Sequence, residues 1–264
     1  AINLLYYWND FTFDLIFIPT YTPTRLPLLN SRHSFLDPEA PTVVNGRELP
    51  ADTLSSSQTG IRISRHFLGW DLSASYYDGY DDLTLATVES DQSLTARYNR
   101  TRVVGVDFAT TFGGLGVHGE AAQFFYDGSK NGDYLQYILG IDYNWTNVIY
   151  DHDIFLILEY MGDTTTQSRE DKRPAFASGL GRVSRNSFLS TITYKFSDTL
   201  ELETKLANNL DHHLSYVINP EINYDITDAF KLTFGIDFIE GNQTTFFGQF
   251  DNDDRSYFFL RYSF

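Results

Sequence analysis

The sequence contains no cysteine, so neither a disulfide framework nor a thiolate metal site is available to it. It also lacks any apolar run near the ~20 residues that a membrane-spanning helix needs. The longest such run, IFLIL at 154–158, is far too short. The net charge of −16 argues against nucleic acid as a partner, because phosphate binding requires clustered lysine and arginine.

Aromatic residues are abundant instead: there are 22 Phe, 18 Tyr and 3 Trp, against a single Met. Aromatic and β-branched residues favour strands over helices. In FKLTFGIDF at 230–238, apolar side chains alternate with polar or small ones, and FTFDLIFIPTY at 11–21 repeats this pattern. No segment of comparable length shows helical spacing, so the sequence predicts an all-β chain.

The alternation predicts thirteen strands, many of them about ten residues long or longer. They lie at 1–8, 11–23, 59–67, 70–80, 95–112, 115–127, 134–146, 154–163, 183–197, 200–209, 213–227, 230–240 and 254–264. Strands of globular sheets average about five or six residues, whereas a tilted strand crossing a bilayer needs about 9–11. We therefore predict a transmembrane, up-and-down, antiparallel β-barrel.

The connections between these strands alternate in length, as in transmembrane barrels with tight inner turns and longer outer loops. The short ones are 9–10, 68–69, 113–114, 147–153, 198–199 and 228–229. The others, mostly longer, are 24–58, 81–94, 128–133, 164–182, 210–212 and 241–253. All three tryptophans lie beside short turns, as an aromatic girdle at the inner membrane interface requires. We expect 24–58, the longest, to be an extracellular loop that either folds into the lumen or forms an external binding surface.

The chain closes on YFFLRYSF, in which Phe258, Leu260, Tyr262 and Phe264 form one alternating row. This ending resembles the C-terminal signature of Gram-negative outer-membrane β-barrel proteins, the porin-like superfamily. The resemblance covers the whole chain and implies a bacterial outer-membrane location. It also implies that the barrel-assembly machinery recognises the last strand during biogenesis.

We expect residues 1–264 to form a single outer-membrane barrel domain. Bacterial single-chain barrels have an even number of strands, so thirteen imply either a further strand before Ala1 or one strand miscounted. A total of about fourteen strands follows. A barrel of this size leaves a narrow lumen once its side chains are placed.

Strand parity predicts which ionisable side chains face that lumen. These are Asp14, Arg62, Asp71, Asp107, His118, Glu120, Asp142, Glu159, Lys195, Glu201, Glu203, Lys205, Glu221, Asp225, Lys231, Asp237 and Arg261. A polar lumen can simply satisfy such charges with one another and with water. Because acids outnumber bases among them, they also favour a channel or transport path for small polar or cationic solutes.

Two other classes of function remain open: a scaffold that anchors or encloses a partner protein, and an outer-membrane hydrolase. For the hydrolase, His213 could activate Ser215 as a nucleophile, or Asp211 and His213 could activate water together with Asp81 and Asp82. Parity turns His213 and Ser215 away from lipid, which disfavours a lipid-cleaving site. We therefore expect a protein that is not an enzyme and needs no cofactor or resident metal.

The expected partners are outer-membrane lipid and lipopolysaccharide. Arg100 and Arg102 lie on the outward parity of one strand, towards its extracellular end. Arginine suits phosphate recognition, so both are predicted to contact lipid A phosphates.

Overall fold

The computed structural model describes residues 1–22, 44–81, 85–88, 94–126, 133–167, 186–210, 214–243, 245 and 247–263. Its strands, in chain order, are β1 Ile2–Trp8, β2 Phe11–Ile18, β3 Val44–Glu48, β4 Gln58–Phe67, β5 Trp70–Tyr80, β6 Leu85–Val88, β7 Leu94–Arg97, β8 Arg100–Phe112, β9 Leu115–Tyr126, β10 Asp133–Ile149, β11 His152–Gln167, β12 Ser187–Lys195, β13 Leu200–Asn209, β14 Ser215–Thr227, β15 Phe230–Glu240 and β16 Arg255–Tyr262. The two short 3-10 turns are Leu54–Ser56 and Gly248–Phe250.

Thirteen of these strands form one antiparallel, up-and-down sheet, in the order β1-β2-β4-β5-β8-β9-β10-β11-β12-β13-β14-β15-β16. The all-β prediction is therefore confirmed, and all thirteen predicted strands are present in sequence order. Long alternating segments identify strands well because each one exposes two chemically different faces. No helix among the described residues has the length and apolar character needed to cross a membrane.

The turn between β10 and β11 differs from the sequence prediction. A connection at 147–153 was expected, but β10 continues to Ile149 and β11 begins at His152. The turn consists of Tyr150 and Asp151, with φ of 52° and 62°. Positive φ at both central residues is the geometry of a tight type I′ hairpin. The predicted seven-residue turn was wrong, and the connection is as tight as the Gly113–Gly114 turn.

The sheet is open in the structure, which differs from the predicted closed barrel: β1 and β16 are its two edges and are not paired with each other. Strand direction gives the physical reason. In an up-and-down sheet with an odd number of strands, the first and last strands run in the same direction. They therefore cannot form the antiparallel pair that joins every other neighbour in this sheet.

A second, three-stranded sheet has the order β3-β7-β6. The pair β3–β7 is parallel and the pair β6–β7 is antiparallel. Strand β3 belongs to the predicted loop 24–58, whose residues 24–43 lie outside the described part. Strand β6 lies in the predicted connection 81–94, whereas β7 lies at the start of the predicted strand 95–112. No pattern in the sequence indicates this sheet, and the predicted strand 95–112 merges β7 with β8.

The chain divides into two compact units. The first comprises 1–108, 120–137 and 163–183, and the second comprises 109–119, 138–162 and 184–264. Among the described residues the buried hydrophobic side chains are Tyr98 and Tyr126, both in the first unit. No larger group of buried apolar side chains is found among the described residues of either unit.

Each unit has an apolar face and a polar face on its part of the main sheet. In the second unit, Phe234 is paired with Phe258 and Leu232 with Leu260 on the apolar face. Phe258 and Leu260 are 63% and 60% exposed. In the first unit, Leu15 is paired with Ile61 on the apolar face, and the residues on either side of this pair along the strands point the other way.

Candidate functional site

A row of polar side chains crosses four strands of the second unit. The register pairs Glu203 with Glu221, Glu221 with Gly235, and Gly235 with Tyr257, which places all four on the polar face. Because Gly235 has no side chain, the Tyr257 ring extends over β15. Its hydroxyl then donates a hydrogen bond to Glu221 Oε1 at 2.5 Å. Glycine in a strand interior often marks such a close approach.

Lys205 lies between two carboxylates of this row. Its Nζ is 2.6 Å from Glu203 Oε1 and 3.0 Å from Glu221 Oε2. The Lys205 side chain is 51% exposed, whereas that of Glu221 is only 16% exposed. One exposed ammonium group therefore opposes two less exposed carboxylates, which leaves a formal excess of one negative charge. We refer to Lys205, Glu203, Glu221 and Tyr257 as the lysine clamp.

Hydrogen bonds extend the lysine clamp towards the edge of the sheet. The amide of Asn219 donates to Tyr257 Oη and to Asp237 Oδ1, at 2.7 Å in both cases. Asp237 in turn forms an ion pair with Arg255. Glu221 and Asp237 are thus both held by neutral or oppositely charged partners.

Lys231 repeats the same arrangement closer to the turn. Its Nζ is 3.6 Å from Asp225 Oδ1 and 3.9 Å from Glu201 Oε1. The register places Lys195 opposite Glu201 and Arg261 opposite Lys231. These predicted lumen residues therefore lie side by side on the polar face of the second unit.

His118, on β9, is joined to Glu159, on β11, across the strand that separates them. The His118 Nε2–Glu159 Oε1 distance is 3.0 Å, and His118 Nδ1 is 4.0 Å from Asp142 Oδ2. Gly140 lies between them on β10, where a Cβ atom would collide with the His118 ring and would be 3.0 Å from Glu159 Cγ. Because Gly140 has no side chain, His118 can reach Glu159 across β10, as Tyr257 reaches Glu221 across Gly235.

The polar face of the first unit has its own ion pair. Arg62 Nη2 donates to both carboxylate oxygens of Asp107, at 2.9 and 3.2 Å, and Arg62 Nε donates to Ser73 Oγ at 2.9 Å. Ser73 also hydrogen-bonds to Asp107. Asp14 is opposite Arg62 in the register. His66 Nδ1 lies 2.9 Å from Asp71 Oδ1 at the turn end, and Glu120 is exposed on β9.

A cavity of about 250 Å³ lies on the second unit next to the lysine clamp. Its lining includes Ile157, Leu189 and Val217, with Glu159 and Lys205 also contributing. The first unit has a comparable depression of about 230 Å³ whose lining is mostly charged or polar and includes Arg62 and Asp107. The second-unit cavity combines apolar walls with a few charged groups, which is the usual composition of a small-molecule site.

The residues considered for hydrolysis are only partly described. Ser215 is completely buried, and its Oγ has no hydrogen-bond partner among the described residues. His213 and Asp211 lie outside the described part of the chain, so the proposed couples remain untested. No group of three His, Asp or Glu side chains placed to hold a metal ion is found within the described ranges.

The two arginines predicted to contact lipopolysaccharide lie at the start of β8. Arg100 Nε donates to Asp78 Oδ1 at 2.7 Å, and the guanidinium lies over the Tyr80 ring, 5.7 Å from its centroid. Arg102 is exposed. In the predicted assembly signal, Phe258, Leu260 and Tyr262 lie exposed along β16, and Phe264 is outside the described residues.

Sequence reasoning identified the charged members of these networks but not the neutral residues that organise them. Asn219, Gly140 and Gly235 were not singled out. Tyr257 alternates with the row of Phe258 and Leu260, so it falls on the opposite, lumen-facing parity, but it was given no role. The available signal was the parity of the strands, which already placed Asn219 on the face of Glu221. The register between strands, which aligns each glycine with its bridge, could not be read from the chain alone.

Comparison with known proteins identifies no relative: no family model, no curated protein and no solved structure matches the chain. The resemblance of its last strand to outer-membrane barrels therefore remains an expectation.

Proposed function

We propose that the protein is an outer-membrane β-barrel that forms a narrow path for small polar or cationic solutes. The observation that carries this proposal is the exposure of the apolar face. Phe234, Phe258 and Leu260 are exposed on one face, while Lys205 and Glu221 lie on the other. Leaving one large apolar side chain in water costs about 1.5–3 kcal/mol, and the net stability of a domain is only about 5–15 kcal/mol. Contact with lipid acyl chains removes this cost.

Closure of the sheet requires one further strand. A barrel of about fourteen strands joins β1 and β16 through a strand that is antiparallel to both. Such closure also satisfies the backbone hydrogen-bonding groups at both sheet edges, which an apolar medium requires. The tight turns and long connections then lie at opposite ends, as in known outer-membrane barrels.

In such a barrel the polar side chains of the strands would face the lumen. Carboxylates exceed ammonium and guanidinium groups there: Lys205 and Lys231 each have two acidic neighbours. Fixed negative charge in a narrow aqueous path raises the local concentration of cations and lowers that of anions. Cation preference therefore follows from the lysine clamp, which has two carboxylates for one ammonium. Around Lys231 the register adds Lys195 and Arg261, which offset the two acids there.

Planar-bilayer recording of the purified protein tests this function. We expect steady currents and, in a salt gradient, a reversal potential that shows cation preference. The Glu201→Gln/Glu203→Gln variant should reduce that preference, because it removes two carboxylates from the polar face. The control is Glu240→Gln. Glu240 lies at the end of β15, is the register partner of Tyr216, and lies on the face opposite Lys205 and Glu221.

Two results would overturn the proposal. One is a protein that stays monodisperse in buffer without detergent, which would show that its apolar face does not need lipid. The other is a correctly inserted protein that carries no current under any applied voltage, which would favour a scaffold over a channel.

A further inference from the structure

The cavity beside the lysine clamp has a floor of apolar side chains. Register pairs align Glu159, Leu189, Ala207 and Val217 in one row across β11–β14. Ala207, between Leu189 and Val217, has the smallest side chain of the row, so the surface has a depression at that point. Most of the polar face carries charged or hydroxyl side chains, which makes this apolar row unusual there.

The adjacent row brings the charged group to the cavity. Ile157, Thr191, Lys205 and Asn219 are aligned by the same register, and they line the cavity together with the apolar row. The lining of the cavity therefore includes Glu159 in one row and Lys205 in the next, while Glu203 and Glu221 lie beyond the lining. That ammonium points away from the apolar row, because its Nζ contacts Glu203 and Glu221 in the following row.

The lysine clamp is a preformed site for an ammonium ion. Tyr257 fixes one oxygen of Glu221 by a 2.5 Å hydrogen bond, and the other oxygen receives the ammonium. The Glu203 and Glu221 side chains are 25% and 16% exposed, whereas the Lys205 side chain is 51% exposed. The acceptors are therefore better fixed than the donor. A donor that is exposed and long can withdraw while its acceptors remain in place.

We propose that this cavity and the adjoining lysine clamp together bind a small organic primary ammonium ion. Its ammonium group replaces that of Lys205 between Glu203 and Glu221, and its apolar body contacts Leu189 and Val217. An inorganic cation would gain nothing from those apolar walls, whereas an alkyl group would. The statement that this site lies along a solute path rests on the proposed function. The residues that form the site all belong to the second unit.

Saturation-transfer NMR on the detergent-solubilised protein tests the site without requiring any current. The probe is n-butylammonium, and n-butanol is the uncharged control with the same apolar chain. We expect saturable transfer to the butyl protons of the amine and none that saturates for the alcohol. Equal behaviour of the two probes would show that only partition into detergent is being observed and would refute the site.

Three variants test the ammonium position, the cavity and the charge separately. Lys205→Met removes the competing ammonium and keeps the stem, so butylammonium should bind about tenfold more tightly. Ala207→Phe fills the cavity without changing charge and should abolish saturable binding. Lys195→Met makes the same change in charge on a neighbouring strand and should leave the affinity unchanged. Weaker binding in Lys205→Met, or equal tightening in Lys195→Met, would overturn the proposal.

Failure of this inference and failure of the proposed function are distinguishable. If the protein conducts with cation preference but does not bind butylammonium, the channel proposal stands and the site is refuted. If butylammonium binds but no current is seen, the site stands and the channel proposal is refuted. If both hold, butylammonium should reduce the potassium current in the unmodified protein, and it should do so less in Ala207→Phe.

Discussion

Replacement of Gly235 by alanine tests whether the polar face depends on bridges that pass over glycine. A Cβ atom at Gly235 would lie 2.5 Å from the Tyr257 hydroxyl oxygen and 2.7 Å from its Cε2 atom. Real Cβ atoms do not approach other atoms so closely, so the phenol ring has to move away. Two hydrogen bonds depend on its position: the one to Glu221 and the one from Asn219.

The size of the effect follows from opposing contributions. A hydrogen bond to a charged group contributes about 1.5–3 kcal/mol and a neutral one about 1 kcal/mol, less where water can replace the partner. Alanine recovers about 0.5–1 kcal/mol relative to glycine by restricting the unfolded chain. We therefore expect Gly235→Ala to lower the free energy of unfolding by about 1–3 kcal/mol.

Chemical denaturation of the protein in detergent or lipid vesicles, followed by aromatic fluorescence, measures this change. The matched control is Gly60→Ala on β4. There the nearest atoms to a new Cβ are 3.9 Å away and φ is not positive, so the methyl group fits. Gly60→Ala should raise the free energy of unfolding by about 0.5–1 kcal/mol.

A double-mutant cycle completes the test. In a Tyr257→Ser background no ring obstructs the new methyl group, so Gly235→Ala should no longer destabilise the protein. If Gly235→Ala behaves like Gly60→Ala, or destabilises equally with and without Tyr257, the bridge over β15 does not stabilise the sheet.

Two further predictions concern the turns and the lipid contacts. Replacing Tyr150-Asp151 by Asn-Gly should raise the free energy of unfolding by about 1 kcal/mol, because both positions have left-handed backbone that Asn and Gly adopt more easily; an unchanged denaturation midpoint would contradict this. Replacing Arg100 and Arg102 together by alanine should reduce the lipopolysaccharide that co-purifies with the protein, as measured by phosphate or sugar analysis. Retention of the full amount would show that these arginines are not the phosphate contacts.

The main strands could be predicted because each carries its own signal. The predicted strands at 200–209 and 230–240 coincide with β13 and β15. A strand with one apolar face shows that face as a period of two along the chain, whatever its neighbours are. The same alternation predicts which face of the sheet each side chain occupies. The register then places Lys205 and Glu221 together on the predicted polar face.

The end of β10 was misread because the alternation is interrupted there. Asn147 has a φ of 55°, and its backbone N–H donates to the Asp153 carboxylate at 3.0 Å. A left-handed residue inside a strand changes which face the next side chain occupies, so the pattern no longer marks the strand. The tight turn that follows also has no glycine to identify it: Tyr150 and Asp151 occupy positions where Asn-Gly is usual.

The three-stranded sheet and the absence of pairing between the edge strands β1 and β16 depend on strand neighbours that a sequence pattern does not encode. Strand β3 pairs with β7, which lies far along the chain, and both strands are short. A segment of four or five residues does not show a period clearly. Closure likewise depends on how many strands there are and in which direction each runs, and not on the composition of any one of them.

The bridges over glycine also explain how one register can be selected on a face where charges repeat. A slip of two residues between neighbouring strands keeps every side chain on its face, so the hydrophobic pattern does not oppose it. Such a slip would, however, place Asp142 or Ile138 where Gly140 now lies, beneath the His118–Glu159 bridge. A slip between β15 and β16 would likewise move a side chain under Tyr257. Because the glycines occur at single positions, they distinguish registers that the alternating pattern leaves equivalent, and the carboxylate pairs beside the bridges are set in place by the same alignment.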